Sequence, residues 1–146
     1  MLDQLDIQSI YLSQYINWYG RKNYEIVKKR GFSERKLGNL SGNYINYDNI
    51  DEKLCEINIW FKYLKFGFWR STDQCCYDIW NNRLSREDAV KIVTSISDQF
   101  PKEYFLDFLN YHKLSKEDFW NTVEKFRNKK IWKLVNGEWK LKKPLK

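Results

Sequence analysis

The chain has one histidine, His112, two prolines and three cysteines in 146 residues, and each scarcity removes a class of function. A multi-histidine metal site within one chain needs histidines that are not there, and a serine triad, which would rest on His112 alone, is not expected. His112 reads as an ordinary polar residue near a helix end. Cys55, Cys75 and Cys76 contain no C-x-x-C pair. An odd count with one vicinal pair makes neither a zinc spacing nor a disulfide framework, so all three read as small buried side chains in a reducing cytoplasm. No run approaches the ~20 apolar residues a bilayer span requires; the most apolar stretch, residues 57–69, contains Lys62 and Lys65. The opening MLDQLDIQSI carries acid where a signal peptide carries base. Neither an anchor nor an export signal is expected, and the expected location is cytoplasmic. There is no GxxxxGK[ST] or GxGxxG loop, and Ser41-Gly42-Asn43 lacks the second glycine and the Asp-Ser of a pyrophosphatase-type ATP loop.

What the chain has in abundance is aromatic rings: seven Trp, ten Tyr and nine Phe, 18% of residues. They imply a core of large plates or an aromatic binding surface. Charged residues at 31% with only two Pro argue against disorder. The net charge of +7 is uneven: residues 129–146 hold seven Lys and one Glu, leaving the remainder close to neutral. A basic tail is a looser signal than a basic face, and reads first as a solvated end. A nucleic-acid binding module is the alternative it raises.

The fold class expected is mainly α, a helical domain with a small C-terminal β-hairpin. Residues 1–146 read as a single domain: a loop-rich opening region 1–50, a helical region 51–128 and a basic hairpin tail 129–146. Residues 7–16 fit either a strand or a turn-rich segment. Residues 23–30 read as a short helix with Gly31 past its end. Residues 33–50, punctuated by Gly38, Gly42 and a run of Asn, read as a long loop, either functional or a surface insertion. From Asp51, Leu54, Ile57, Trp60, Phe61 and Leu64 draw one apolar stripe of a helix that Gly67 stops. Leu84-Ser85-Arg86-Glu87-Asp88 and Leu114-Ser115-Lys116-Glu117-Asp118 each place a Ser cap and an acid at a helix start, with Leu84–Ala89 and Leu114–Phe119 as staples. Pro101 is expected to open another helix, with Tyr104, Phe105, Phe108 and Leu109 on one face. Asn136-Gly137 predicts a hairpin whose inner face is Trp132, Leu134, Trp139 and Leu141.

Residues 65–73, KFGFWRSTD, mix two cations, a glycine, two hydroxyls and a carboxylate directly after a helix. Lys65 and Arg70 with Ser71 and Thr72 suit a phosphate or pyrophosphate held by charge-assisted bonds. Gly67 would admit a close backbone approach. Asp73 would fix Arg70 or assist a metal, and Asp78, Arg83, Arg86 and Glu87 follow within helical or turn reach. The bland reading of the same residues is a helix–turn–helix corner tied by salt bridges.

KFGFWRSTDQCCYDIW followed by NRLSREDAV resembles the carboxyl-terminal signature of the N-acetyl sugar amidotransferases of lipopolysaccharide and flagellar sugar biosynthesis. That family's pattern runs K-F-G-F-G-R-x-T-D, then D-I-R, then G-R-[IL]-[ST]-R-E-E-A. IYLSQYINWYGRKNYEIVKKRGF, YDNIDEKLCEI and KFRNKKIWKLVNGEWKL are similar too, so the likeness runs over nearly the whole chain. It covers less than half of a typical member, whose cysteine motifs and S-G-G-x-D-S loop have no counterpart here. The resemblance implies the C-terminal part of an ATP-pyrophosphatase-type α/β enzyme that converts an acetamido group to an acetamidino group. It implies ATP with Mg, bound by an ATP-loop polypeptide if the gene is split. It also implies a glutaminase subunit supplying ammonia, and a nucleotide- or lipid-linked sugar as substrate. Carried onto this chain, the catalytic residues would be Lys65, Arg70 and Asp73. Ser71, Thr72, Asp78, Arg83, Arg86 and Glu87 would bind substrate, and no metal ligand is implied. Trp69 stands where the family has glycine, and would crowd a phosphate-facing loop; Trp80 stands where arginine is expected, which removes a charge. The alternatives are a non-catalytic remnant or scaffold fragment, and the nucleic-acid module.

Overall fold

A computed structural model of the chain describes residues 8–96 and 99–145. It is mainly helical, ending in a two-stranded antiparallel hairpin. Compactness divides the chain into two units, Met1–Ser33 and Glu34–Lys146.

In the first unit, residues 8–16 form no strand: a 3-10 turn covers Leu12–Gln14, and Ile7 lies outside the described residues. Helix α1, Gly20–Lys28, begins three residues earlier than the apolar spacing implied. Gly31 lies just beyond it at φ +95°, a backbone angle that costs glycine nothing.

The second unit is built on α2 (Cys55–Phe66), α3 (Arg70–Trp80), α4 (Arg86–Ile96), α5 (Phe105–His112), α6 (Lys116–Phe126) and strands β1 (Trp132–Val135) and β2 (Glu138–Leu141). The apolar stripe of α2 buries Ile57, Trp60, Tyr63 and Leu64 against Leu109 of α5, Phe119 and Val123 of α6, and Trp132 of β1. The rings pack as edges and plates: Trp60 lies near-parallel to Phe119 at 6.1 Å and meets Phe100 edge-on at 4.9 Å. A smaller cluster, Cys75 with Ala89 and Val93, joins α3 to α4.

The last carbonyls of α2 need partners, and the segment entering the hairpin supplies them. Trp132 Nε1 donates to the Leu64 carbonyl at 2.8 Å, the Asn128 backbone N–H to the same oxygen at 3.2 Å, and Asn128 Nδ2 to the Lys65 carbonyl at 3.0 Å. Gly67 caps α2 in the left-handed conformation. The space where its side chain would stand is filled by Leu141 and Ile131. Hairpin side chains, and not a ligand, make the close approach that this glycine permits.

Both Ser caps form. Ser115 and Asp118 complete a reciprocal capping box on α6. At α4 the Asp88 N–H donates to Ser85 Oγ at 3.0 Å, and Asp88 accepts the Ser85 hydroxyl at 2.9 Å. Three expectations need correction. Helix α2 starts at Cys55, not Asp51: Glu52 turns its carboxylate onto the Leu54 N–H and holds a turn there. Pro101 opens no helix; it is fully buried in the turn before α5, which starts at Phe105. The hairpin has the expected register, Trp132 opposite Leu141 and Leu134 opposite Trp139, but Leu134 is 59% exposed because the inner face runs past the core near the turn.

Candidate functional site

The corner between α2 and α3 is where the charged residues meet. Gly67 ends one helix, Trp69 is extended, and α3 opens at Arg70. Trp69 is 0% exposed, stacked on Tyr63 at 4.7 Å. Its ring lies where a side chain on Gly42 would be, within 2.0 Å of an ideal Cβ, and Gly42 has φ +73°. The Trp that stood out in the sequence is therefore core, and it fixes segment 39–48 over the start of α3. The Ser71 N–H donates to the Gly42 carbonyl at 2.9 Å, completing that seam.

Segment 39–48 then delivers polar groups to α3. Arg70 donates Nε to Asp48 Oδ2 at 2.9 Å, with Nη2 at 2.8 Å. Its Nη1 stands 3.7 Å from Asp73. Lys62, one helical turn before the end of α2, donates to Asp73 at 2.5 Å and lies over the Phe68 ring at 4.3 Å. Gln74 donates Nε2 to both Asn43 Oδ1 and Asp48 Oδ2, each at 2.9 Å, and accepts the Tyr44 N–H at 2.7 Å. The side chains of Arg70 and Lys62 remain 34% and 30% exposed, so solvent reaches the cluster. Beside it Ser71 is wholly buried, its hydroxyl without a partner, and Thr72 is half-buried. Behind the segment, Glu56 accepts the Ser41 N–H at 2.7 Å. Burial holds its carboxyl above the ordinary value, and the Ser41 bond offsets part of that.

Of the residues singled out in the sequence, Arg70 and Asp73 stand together, with Ser71 and Thr72 adjoining. Lys65 joins none of these contacts; it is exposed, its ammonium 5.3 Å from the Phe66 ring centre. Asp78 is buried on α3. Arg83, Arg86 and Glu87 lie exposed at the other end of that helix, about 16 Å away along an axis rising ~1.5 Å per residue. Trp80 is 73% exposed, edge-on to Tyr77 at 5.5 Å. Asp48, Asn43, Gln74 and Lys62 were not foreseen. Asp48 and Asn43 sat in a loop whose punctuation marks turns but not where it docks, and Lys62 read only as an interruption of an apolar run. A corner tied by ion pairs, the bland reading of residues 65–73, is present; it is also a polar, partly open cluster.

Among the described residues no group of three His, Cys, Asp or Glu is placed to hold a metal. None of the described helices is long and apolar enough to cross a membrane. The chain matches no curated protein. A family model described as "LPS biosynthesis protein WbpG-like, C-terminal domain" matches residues 13–146. That match takes in the aromatic core, the corner and the hairpin alike, and the chain belongs to the WbpG-like C-terminal domain family of LPS biosynthesis proteins.

Proposed function

We propose that the chain serves as the C-terminal segment of an ATP-dependent N-acetyl sugar amidotransferase, contributing substrate contacts to the conversion of an acetamido to an acetamidino group. The family match and the K-F-G-F-x-R-x-T-D signature support it. The observation that carries it is the Arg70 cluster: two cations, two carboxylates and two amides gathered at one partly open corner. Two positive and two negative groups nearly cancel. Such a set suits the hydroxyls and amide of a sugar, which need donors and acceptors together, better than a pyrophosphate, which draws unpaired cations. In this reading a pyrophosphate contact falls to Lys65, which is exposed and in no ion pair among the described residues, and Asp78, Arg83, Arg86 and Glu87 form a second contact region at the far end of α3.

ATP with Mg would activate the amide oxygen for displacement by ammonia. The residues here do not fit that pair: Asp48 and Asp73 are engaged by Arg70 and Lys62, and no phosphate loop is present. In this reading ATP and Mg belong to an ATP-loop polypeptide, and ammonia comes from a glutaminase subunit. The residues of this chain hold and orient the sugar in the cytoplasm.

The test is turnover of an N-acetyl sugar nucleotide by the chain combined with those two partners, following the acetamidino product by mass spectrometry. Arg70→Ala removes charged hydrogen bonds worth ~1.5–3 kcal/mol, so kcat/KM should fall about 10- to 100-fold. Lys65→Ala should also lower it. Near-normal turnover in both variants overturns the assignment. A second reading, a non-catalytic remnant or scaffold, is favoured by one observation: both cluster cations are already held by carboxylates of the chain itself. It requires that the unaltered combination make no product.

A further inference from the structure

Helix α3 turns one narrow stripe to solvent. Asp73, Tyr77 and Trp80 recur at i, i+4 and i+7, the spacing that lines up side chains on one helical face. Ser71, Gln74, Cys75 and Asp78 lie buried on the other. The stripe begins in the Arg70 cluster, where Arg70 Nη1 stands 3.7 Å from Asp73. It ends on two open rings, Tyr77 and the still more exposed Trp80. Trp80 closes the helix ten positions after Arg70, ~15 Å along an axis that rises ~1.5 Å per residue. The helix end beneath these rings is fixed. Asn81 donates its backbone N–H and its Nδ2 to the Tyr77 carbonyl, at 3.2 and 2.8 Å. Tyr77 stands edge-on to the indole, rings 87° apart, and holds it without stacking on it.

The surroundings narrow what the rings can take. Between residues 69 and 96 the exposed large apolar side chains are Tyr77 and Trp80, with no aliphatic among them. A prenyl or acyl chain therefore finds no groove of its own kind there. A planar ring finds the indole face, and every nucleobase has a π-face to lay on it. A nucleic-acid strand needs successive platforms for successive bases, and the perpendicular Tyr77 leaves one plate here, not a series. At the opposite end of the stripe, Lys62 and Arg70 both face Asp73, so its carboxylate is offset where a diphosphate would pass. One ligand with a polar sugar at one end and a flat heterocycle at the other spans both regions.

We propose that Trp80, steadied by Tyr77, is a stacking site for a nucleobase, and that the sugar handled at Arg70 is linked to a nucleoside diphosphate and not to a lipid. The identity of the linked sugar rests on the reading of the Arg70 cluster; the nucleobase site rests on the stripe itself. The test is a nuclear magnetic resonance titration of the full chain with uridine diphosphate and, separately, with methyl N-acetylglucosaminide. Uridine diphosphate alone should shift the Trp80 indole N–H. Stacking one base is worth roughly 5- to 100-fold in affinity. Trp80→Ala should therefore weaken uridine diphosphate about tenfold, and Trp80→Phe, which keeps a ring, by less. Both should melt as the unaltered chain does, since the indole is exposed. Tyr111→Ala removes an equally exposed ring on α5 and should bind uridine diphosphate normally.

An unmoved Trp80 signal with uridine diphosphate overturns the proposal, even if the glycoside shifts Arg70 and so upholds the cluster. An equal loss of affinity in Trp80→Ala and Tyr111→Ala overturns it too. A glycoside that shifts Trp80 as far as uridine diphosphate does overturns it in favour of a second sugar subsite. If uridine diphosphate shifts Trp80 while the glycoside leaves Arg70 still, the nucleobase site stands and the cluster reading falls.

Discussion

Glu56 is 1% exposed, with one oxygen on the Ser41 N–H and the other without a partner. Burial raises its pKa most, Glu103 adds to that, and the Ser41 bond and Arg35 oppose it. A carboxyl with a raised folded-state pKa is tolerated less well when ionised in the fold than in the open chain. Stability should therefore fall as pH rises from the ordinary carboxyl range through the raised value, and the penalty should vanish in acid, where both states hold the proton. Glu56→Gln keeps an acceptor for Ser41 and loses the charge. It should melt higher than the unaltered chain at neutral pH, with the difference shrinking as pH falls; a difference independent of pH would contradict this. Nothing in the sequence singled out Glu56. What makes it special is segment 39–48 closing over it, a long-range event that no local pattern announces. Arg70 and Asp73 were legible because they share one short signature. Lys62 was not preferred to Lys65, because one turn of α2 separates them and the corner geometry at Gly67 decides which faces α3.

Elements were read best where local chemistry sets them. The Ser85 and Ser115 caps, the Gly67 stop and the Asn136-Gly137 turn all rest on groups within four residues of one another, and all formed. Asn136 and Gly137 take φ of +51° and +82°, as a two-residue hairpin turn demands. Where a side chain outcompetes the pattern, the reading failed: Glu52 holds a turn that delays α2, and Pro101 packs into the core instead of starting a helix. The caps supply a measurable term. Ser115→Ala leaves the Asp118 N–H and the Ser115 hydroxyl's share of the box unmade, at a cost of about 1 kcal/mol. For a chain of this size that should lower Tm by about 4 °C. An unchanged melting curve would mean that α6 draws its stability from Phe119 and Val123 alone.

At the scale of the molecule, α2 is the common wall. One face packs the aromatic core with α5, α6 and the hairpin, and its last turn and the Gly67 corner carry the polar cluster. Trp69 links the two, with its ring against Tyr63 on one side and Gly42 on the other. This dependence explains why a Trp at position 69 is compatible with a formed corner here. The fold class followed from periodicity, but the site did not, because two of its six side chains, Asn43 and Asp48, arrive on a segment with no regular structure. The direct test of the central claim is a nuclear magnetic resonance titration of the chain with a nucleotide-linked N-acetyl sugar. Side-chain N–H signals of Arg70, Gln74 and Asn43 should move together and saturate, with Arg127 at the hairpin unmoved. If those three signals stay still at saturating sugar while others shift, or if none shifts at all, the Arg70 cluster is a structural tie and not a substrate contact.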